Sequence, residues 1–228
     1  MSVFEHAEID CVLDVGAHQG QYGRLLRACG YDRYIISFEP VSANARMLRE
    51  HARLDPKWTV MQYALGQTED EAPIYVSHRS DLASFRSFSS YARDLWPEGT
   101  LIDEVERVER RRLDNVLADD LSNWRGQRLF LKIDTQGYEG EVIAGGGGYL
   151  TEIRGMQVEA SVKPIYEGMT SYLETLALLA TYGFELTGIF PVTRDADLRI
   201  VELDCVMMRS LSMQQPNAVA AHAGESAC

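Results

Sequence analysis

The sequence predicts an α/β protein: a doubly wound, mostly parallel sheet with helices on both faces. Three observations lead there. Residues 11–29 read strand, tight glycine turn, helix, and residues 34–64 repeat the strand–helix–strand rhythm. Three buried-type strands end in an acid, at Asp14, Glu39 and Asp134. Independent surface acids would not fall at that one place three times. Open α/β sheets bind ligands at the carboxyl ends of their strands, so the repetition marks a site.

Cys11 to Asp14 is a short apolar run closing on an acid; Gly16 and Gly20 follow. Tyr22, Leu25, Leu26 and Cys29 then recur at the spacing of one helical face, and Gly30 stands where a helix-ending glycine belongs. The dinucleotide fingerprint fails here. Counted from Gly16, its second and third glycines would be His18 and Gln21, and bulk at the second keeps backbone away from a pyrophosphate. The acid before the turn suits an amino-bearing ligand, such as the amino-acid end of S-adenosylmethionine.

Tyr34 to Pro40 is a second buried strand. Glu39 at its end has the position, about 20 residues past the glycine turn, from which an acid takes ribose hydroxyls. One carboxylate can accept from two vicinal hydroxyls. Ser42 is expected to cap the next helix, whose apolar face is Ala45, Leu48 and Ala52; Trp58 to Ala64 is a third strand.

Residues 67–112 break the rhythm. Ile74 to Val76 reads as a short strand, and Ser77 to Thr100 carries Ser84, Phe85, Phe88, Tyr91 and Trp96 with no clear period. A long irregular segment inside a domain reads as a lid or binding loop. The charged run Val105 to Arg112 fits an edge strand or a helix start. Leu113, Leu117 and Leu121 mark a helix, and Arg128 to Asp134 is a central strand. A turn then opens a helix that ends at Gly145 to Gly148.

Residues 155–162 form a fifth strand containing Glu159, and a charge inside such a run needs a partner or a role. Ser171 and Glu174 form a capping box for a helix expected to bury Leu173, Leu176, Ala177 and Ala180. Residues 184–190 and 198–208 read as an antiparallel pair. The expected organisation is one domain over 1–209, with 67–112 as an insertion or lid region, and a flexible tail over 210–228.

The totals narrow the function class. The 228 residues carry a net charge of −12, which speaks against a general nucleic-acid binder. Cys11, Cys29, Cys205 and Cys228 form no C-x-x-C pair and read as reduced thiols rather than a zinc site. No apolar stretch approaches membrane-spanning length, and the polar, acidic start has no signal-peptide core, so a cytoplasmic location is expected.

Taken together, the chain resembles the FkbM-type family of S-adenosylmethionine-dependent methyltransferases. The resemblance runs from about residue 12 to 209 and rests on Val-Leu-Asp-Val-Gly-Ala-His-Gln-Gly at 12–20, Phe-Glu-Pro at 38–40 and Ala-Leu-Gly at 64–66. Ser84, Leu-Asp at 113–114 and Lys-Ile-Asp-Thr-Gln-Gly-Tyr-Glu at 132–139 extend it. In the last block Thr135 and Gln136 stand where the family pattern has valine and glutamate.

The resemblance implies a class I methyltransferase, Rossmann-like, with a seven-stranded sheet of order 3-2-1-4-5-7-6 and strand 7 antiparallel. It implies methyl transfer to a hydroxyl of a sugar, glycan or secondary metabolite. Cofactor contacts are expected at Asp14, Gly16, His18, Gly20, Glu39, Pro40, Ala64, Leu65 and Ser84. Asp134, next to where the acceptor must sit, is assigned to substrate or base duty, with Glu139 and Glu159 as neighbours. Three carboxylates near one pocket could also hold Mg2+, but structural and solvated acids are commoner, and no metal ligand is assigned. Rival readings are a catalytically inactive cofactor-binding relative and a nicotinamide-dependent oxidoreductase; a third, N-methylation of nucleic acid, lacks a basic surface signal and an Asn/Asp-Pro-Pro-Tyr type of motif.

Overall fold

Residues 3–124 and 126–209 are described by the structure, a computed structural model. Helix α1 (Val3–His6) leads to β1 (Cys11–Val15), α2 (Gln21–Ala28), β2 (Tyr34–Phe38), α3 (Ser42–Ala52) and β3 (Trp58–Met61). Next come β4 (Ala64–Gly66), β5 (Asp70–Ser77), α4 (Ser90–Leu95) and β6 (Ile102–Arg112). Then follow α5 (Leu113–Ala118), β7 (Leu129–Ile133), α6 (Glu139–Gly146), β8 (Ile153–Ser161), α7 (Tyr172–Thr181), β9 (Phe184–Arg194) and β10 (Ile200–Arg209). The tail expected at 210–228 lies outside the described residues.

The main sheet runs β3-β2-β1-β7-β8-β10-β9. The pairs among its first five strands are parallel, and β10 is antiparallel to both its neighbours. This is the order the resemblance implied, with β10 as its reversed seventh strand. The central strands β1 and β7 are buried along their whole length, as both-face coverage requires. Alternation divides their side chains between two cores. Leu13, Val15, Leu131 and Ile133 pack with α5, α6 and α7 residues such as Leu117, Val142 and Leu179. Val12 and Phe130 pack on the other face with Leu26, Leu48 and Trp58.

The same register sets a polar row across the sheet. Asp14 lies opposite Ser37 on one side and Lys132 on the other, and Lys132 lies opposite Gln157. Two residues further along β8, on the same face, Glu159 lies opposite Asp204 on β10.

Several local expectations are corrected. The third strand stops at Met61, and Ala64–Gly66 joins a second sheet of order β4-β6-β5. There Gly66 lies opposite Arg112, so the segment between them enters and leaves side by side. Much of 67–112 is therefore regular, and the charged run is an eleven-residue strand, β6, between two partners. Val41, not Ser42, is the residue before α3, and the Ser42 hydroxyl and N–H instead meet Glu106 of β6.

On α2, Gly23 rather than Leu25 turns inward, because a Cβ at Gly23 would sit 2.2 Å from the Trp58 ring while Leu25 is 57% exposed. Cys29 is exposed, whereas Cys11 and Cys205 are buried. The capping box of α7 is present as expected, but the helix buries Thr175 and Leu179, leaving Leu173, Ala177 and Ala180 exposed and Leu176 half-buried.

Candidate active site

The carboxyl ends of β1, β2, β7 and β8 open into a cleft of ≈ 440 Å³, flanked by β10 and by residues 79–83 and Phe85 with Trp96. Its walls include Gly16, His18, Glu39, Pro40, Ala64 and Leu65 toward β2, and Asp134, Gln136, Glu159, Glu202 and Asp204 toward β10.

At the β2 end, the β1–α2 turn is pinned to the end of β2. Gly16 and Ala17 N–H groups donate to the Phe38 carbonyl, and His18 N–H donates to Glu39 Oε2 at 2.8 Å. Val41 N–H donates to Glu39 Oε1 at 2.9 Å. Burial raises the Glu39 carboxyl to about 7, against these hydrogen bonds. His18 has φ +48°, and its Nε2 lies 3.0 Å from Ser80 Oγ. Its Nδ1 faces Gln21 Nε2 at 2.7 Å, and Gln21 Oε1 accepts from Gln19 N–H. The amide therefore presents a donor to Nδ1, which leaves the imidazole proton on Nε2, pointing at Ser80.

Gly16, at φ +77°, is required because a Cβ there would meet the Asp134 carbonyl oxygen at 1.8 Å. Gly20, at φ +87°, turns toward Leu48 and Trp58 rather than the cleft.

Beneath the cleft, Lys132 Nζ stands 3.4 Å from Asp14 Oδ1 and 3.3 Å from Asp134 Oδ2, and donates to the Gly16 carbonyl at 3.2 Å. Asp14 is fully buried and does not line the cleft; Ser37 Oγ donates to its Oδ2 at 3.1 Å. Burial pushes the Asp14 carboxyl up. At Asp134 burial also pushes upward, but the Lys132 charge and the Gln136 hydrogen bond outweigh it and hold the carboxyl below its ordinary range. Glu159 is driven well above it by burial and by Asp134. Burial raises Glu202 to about 7.

The structure thus brings together Gly16, His18, Glu39, Pro40, Ala64, Leu65, Asp134 and Glu159. It sets four expected residues back. Asp14 and Gly20 serve the framework as described. Ser84 is turned away from the cleft, its Oγ donating to the Gln136 carbonyl at 2.6 Å. Glu139 is folded onto its own helix start: its Oε1 accepts from Thr135 N–H, Thr135 Oγ1 and Gly137 N–H. It shapes the turn that carries Asp134 and does not line the cleft.

Glu202 and Asp204 were missed from the sequence. They alternate with the buried Val201, Leu203 and Cys205, a period-two polar face on the last strand that carried the signal. Among the described residues no group of three or more His, Cys, Asp or Glu is placed to hold a metal ion. No helix among them is long and apolar enough to cross a membrane.

The strand order, the reversed β10 and the cleft at the strand ends define a class I methyltransferase fold. Residues 14–186 match the family described as the methyltransferase FkbM domain. The chain belongs to that family and is a methyltransferase, and the expected cofactor, S-adenosylmethionine, stands with that membership.

Among curated relatives, the 2-O-methyltransferase NoeI of Sinorhizobium fredii is 27% identical over 194 residues, covering 82% of this chain and 77% of that protein. Two solved structures are similar in fold. The magnesium protoporphyrin IX methyltransferase of Synechocystis PCC 6803, with bound SAM, has a TM-score of 0.48 at 12% identity, over 87% of this chain and 69% of that one. Aeropyrum pernix fibrillarin, in complex with S-adenosyl-L-methionine, has a TM-score of 0.45 at 11% identity, over 87% and 66%.

Proposed function

We propose that the protein methylates a hydroxyl of a sugar, glycan or secondary metabolite, with Asp134 taking the hydroxyl proton. The observation that carries this reading is the 3.3 Å pairing of Lys132 with Asp134 at the cleft wall. It keeps one carboxylate ionised among acids that burial drives toward neutrality, and only an ionised acid can serve as a base. The 2-O-methyltransferase activity of the relative NoeI supports oxygen as the acceptor atom.

The residues of the β2 end fit S-adenosylmethionine. Each Glu39 oxygen already holds one backbone N–H, which aims the carboxylate and leaves lone pairs free for vicinal hydroxyls. Pro40, Ala64 and Leu65 add apolar wall beside it. When bound, the cofactor supplies an electrophilic methyl on a sulfonium sulfur.

The chain's own part is positioning and proton transfer. A sugar hydroxyl is a weak acid, so its proton must leave as the oxygen is methylated, and in this reading Asp134, at the cleft wall, receives it. A general base contributes roughly 10²- to 10⁴-fold, and orientation up to about 7–11 kcal/mol. Leu82, Phe85 and Trp96 line the cleft from the inserted segment and help exclude water.

The test is a panel of methyl glycosides and other hydroxylated acceptors with methyl-labelled S-adenosylmethionine. The expected result is transfer to oxygen by the intact enzyme and, in Asp134→Asn, a loss of about 10²-fold or more in turnover with S-adenosylhomocysteine still bound. Transfer to nitrogen, or full turnover by Asp134→Asn, would overturn the reading.

A further inference from the structure

Gln136 occupies the turn between β7 and α6 with φ +55°, followed by Gly137 at +86°. A side-chain-bearing residue in that region costs about 1–2 kcal/mol, so its presence there calls for a reason. Its contacts supply one. The backbone carbonyl accepts from Ser84 Oγ at 2.6 Å. Nε2 lies 2.9 Å from Asp134 Oδ1 and 2.9 Å from Glu159 Oε2. Oε1 faces the buried Tyr166 hydroxyl at 3.0 Å.

An ionised Asp134 beside Lys132 admits only donors at hydrogen-bond distance. The amide nitrogen, not its oxygen, therefore faces the two acids, and its two N–H groups serve one each.

We propose that Gln136 is a positioning residue: by bridging Asp134 and Glu159 it makes the two carboxyls one unit, in which Asp134 stays ionised toward the acceptor and Glu159 carries the proton. This rests on the reading of Asp134 as the base.

The surroundings favour one shared proton. Asp134 hydrogen-bonds Glu159 of β8 directly and is faced by Lys132 near the end of β7, Asp14 on β1, His18 on the β1–α2 turn, Glu139 on α6 and, from β10, Glu202 and Asp204. Lys132 is the cation of this group, and it is already shared with Asp14. Neighbouring carboxylates packed this closely do not all ionise. The neutral amide adds two donors and no charge. A glutamate at 136 would remove the donors and add a further acid. The bridge also ties the base to the inserted segment, since the Ser84 hydroxyl holds the Gln136 backbone and the Leu82 carbonyl lies 3.0 Å from the Tyr166 hydroxyl.

The experiment is a ¹³C-carboxyl NMR titration of intact protein labelled at Asp and Glu. Asp134→Asn and Glu159→Gln assign the two signals. Gln136→Glu is expected to move the Asp134 transition up by about one pH unit or more, and Gln136→Met, which only deletes the donors, to move it up by less. Calorimetric binding of S-adenosylhomocysteine is expected to stay within about threefold of wild type, a change of under 1 kcal/mol. Should Gln136→Glu fail to fold, Gln136→Met carries the test. An Asp134 transition unmoved in the folded variants overturns the proposal. Turnover surviving in Asp134→Asn instead overturns the base reading and this inference with it, a result that the titration curves keep separate.

Discussion

The His18 N–H and the Glu39 carboxylate meet at 2.8 Å across 21 residues of chain. This contact couples the turn after β1 to the end of β2, so Glu39 both shapes the turn and faces the cleft.

Removal of Glu39 is therefore expected to do two things. Glu39→Ala leaves the His18 and Val41 N–H groups without acceptors, the second of them buried, and lowers stability by about 1–3 kcal/mol. It also weakens S-adenosylhomocysteine binding by about 100-fold, the equivalent of nearly 3 kcal/mol. Calorimetric titration and chemical denaturation read the two effects separately. Binding unchanged in a folded Glu39→Ala protein would remove Glu39 from the cofactor.

Two glycines in the same backbone region should respond differently to alanine. Gly16 and Gly30 have φ +77° and +88°, but a Cβ meets the Asp134 carbonyl at 1.8 Å in the first and nothing within 4 Å in the second. Gly30→Ala should cost about 1–2 kcal/mol, the backbone strain alone. Gly16→Ala should cost more than about 3 kcal/mol and displace Asp134. Equal losses in urea denaturation would contradict the close approach of the two strand ends.

Lys132→Met should destabilise by about 3–5 kcal/mol, because it strands the fully buried Asp14 without its cation. Adding Asp14→Asn to the same chain should recover part of that loss. A double-mutant cycle measures the coupling, and simple additivity would show that the pair does not interact.

Stability should fall as pH rises toward neutrality. Glu39, Glu139 and Glu202 are each raised by burial from 4.5 to about 7. Raised acids bind protons more tightly in the native state, so their contribution is complete below the ordinary value of 4.5 and is lost as pH climbs through about 7. Asp134 has the opposite sign: held below 3.8, its contribution is lost in acid. Tm should be higher at about pH 5 than at about pH 8, and Glu139→Gln should narrow the difference. A Tm that rises between those pH values would refute the assignment.

The central sheet was legible because its strands are parallel and covered on both faces. Such strands read as near-continuous apolar runs, and β1, β2 and β7 do, each interrupted once, at Asp14, Ser37 and Lys132. β6 was ambiguous for the converse reason. It sits in a small sheet with few inward positions, held by backbone pairing and by cross-strand pairs such as Arg110 with Asp70. The face of α7 was misjudged because Tyr172, Leu173, Leu176 and Leu178 spread apolar groups around the helix, and the buried side is marked by Thr175.

At the site, position along the strand pointed to Asp134 and Glu39, and both line the cleft. No spacing rule separates an acid facing a cleft from one folded back on its own helix start, which is where Glu139 lies. Only the packed turn distinguishes them.

The pairing of Gly66 with Arg112 has a consequence for changes in sequence. Because the entry and exit of the inserted segment are neighbours on one ladder, its length and content can change without re-registering the main sheet. A change in this stretch should therefore alter what lies over the cleft while the β1–β2 end keeps its geometry.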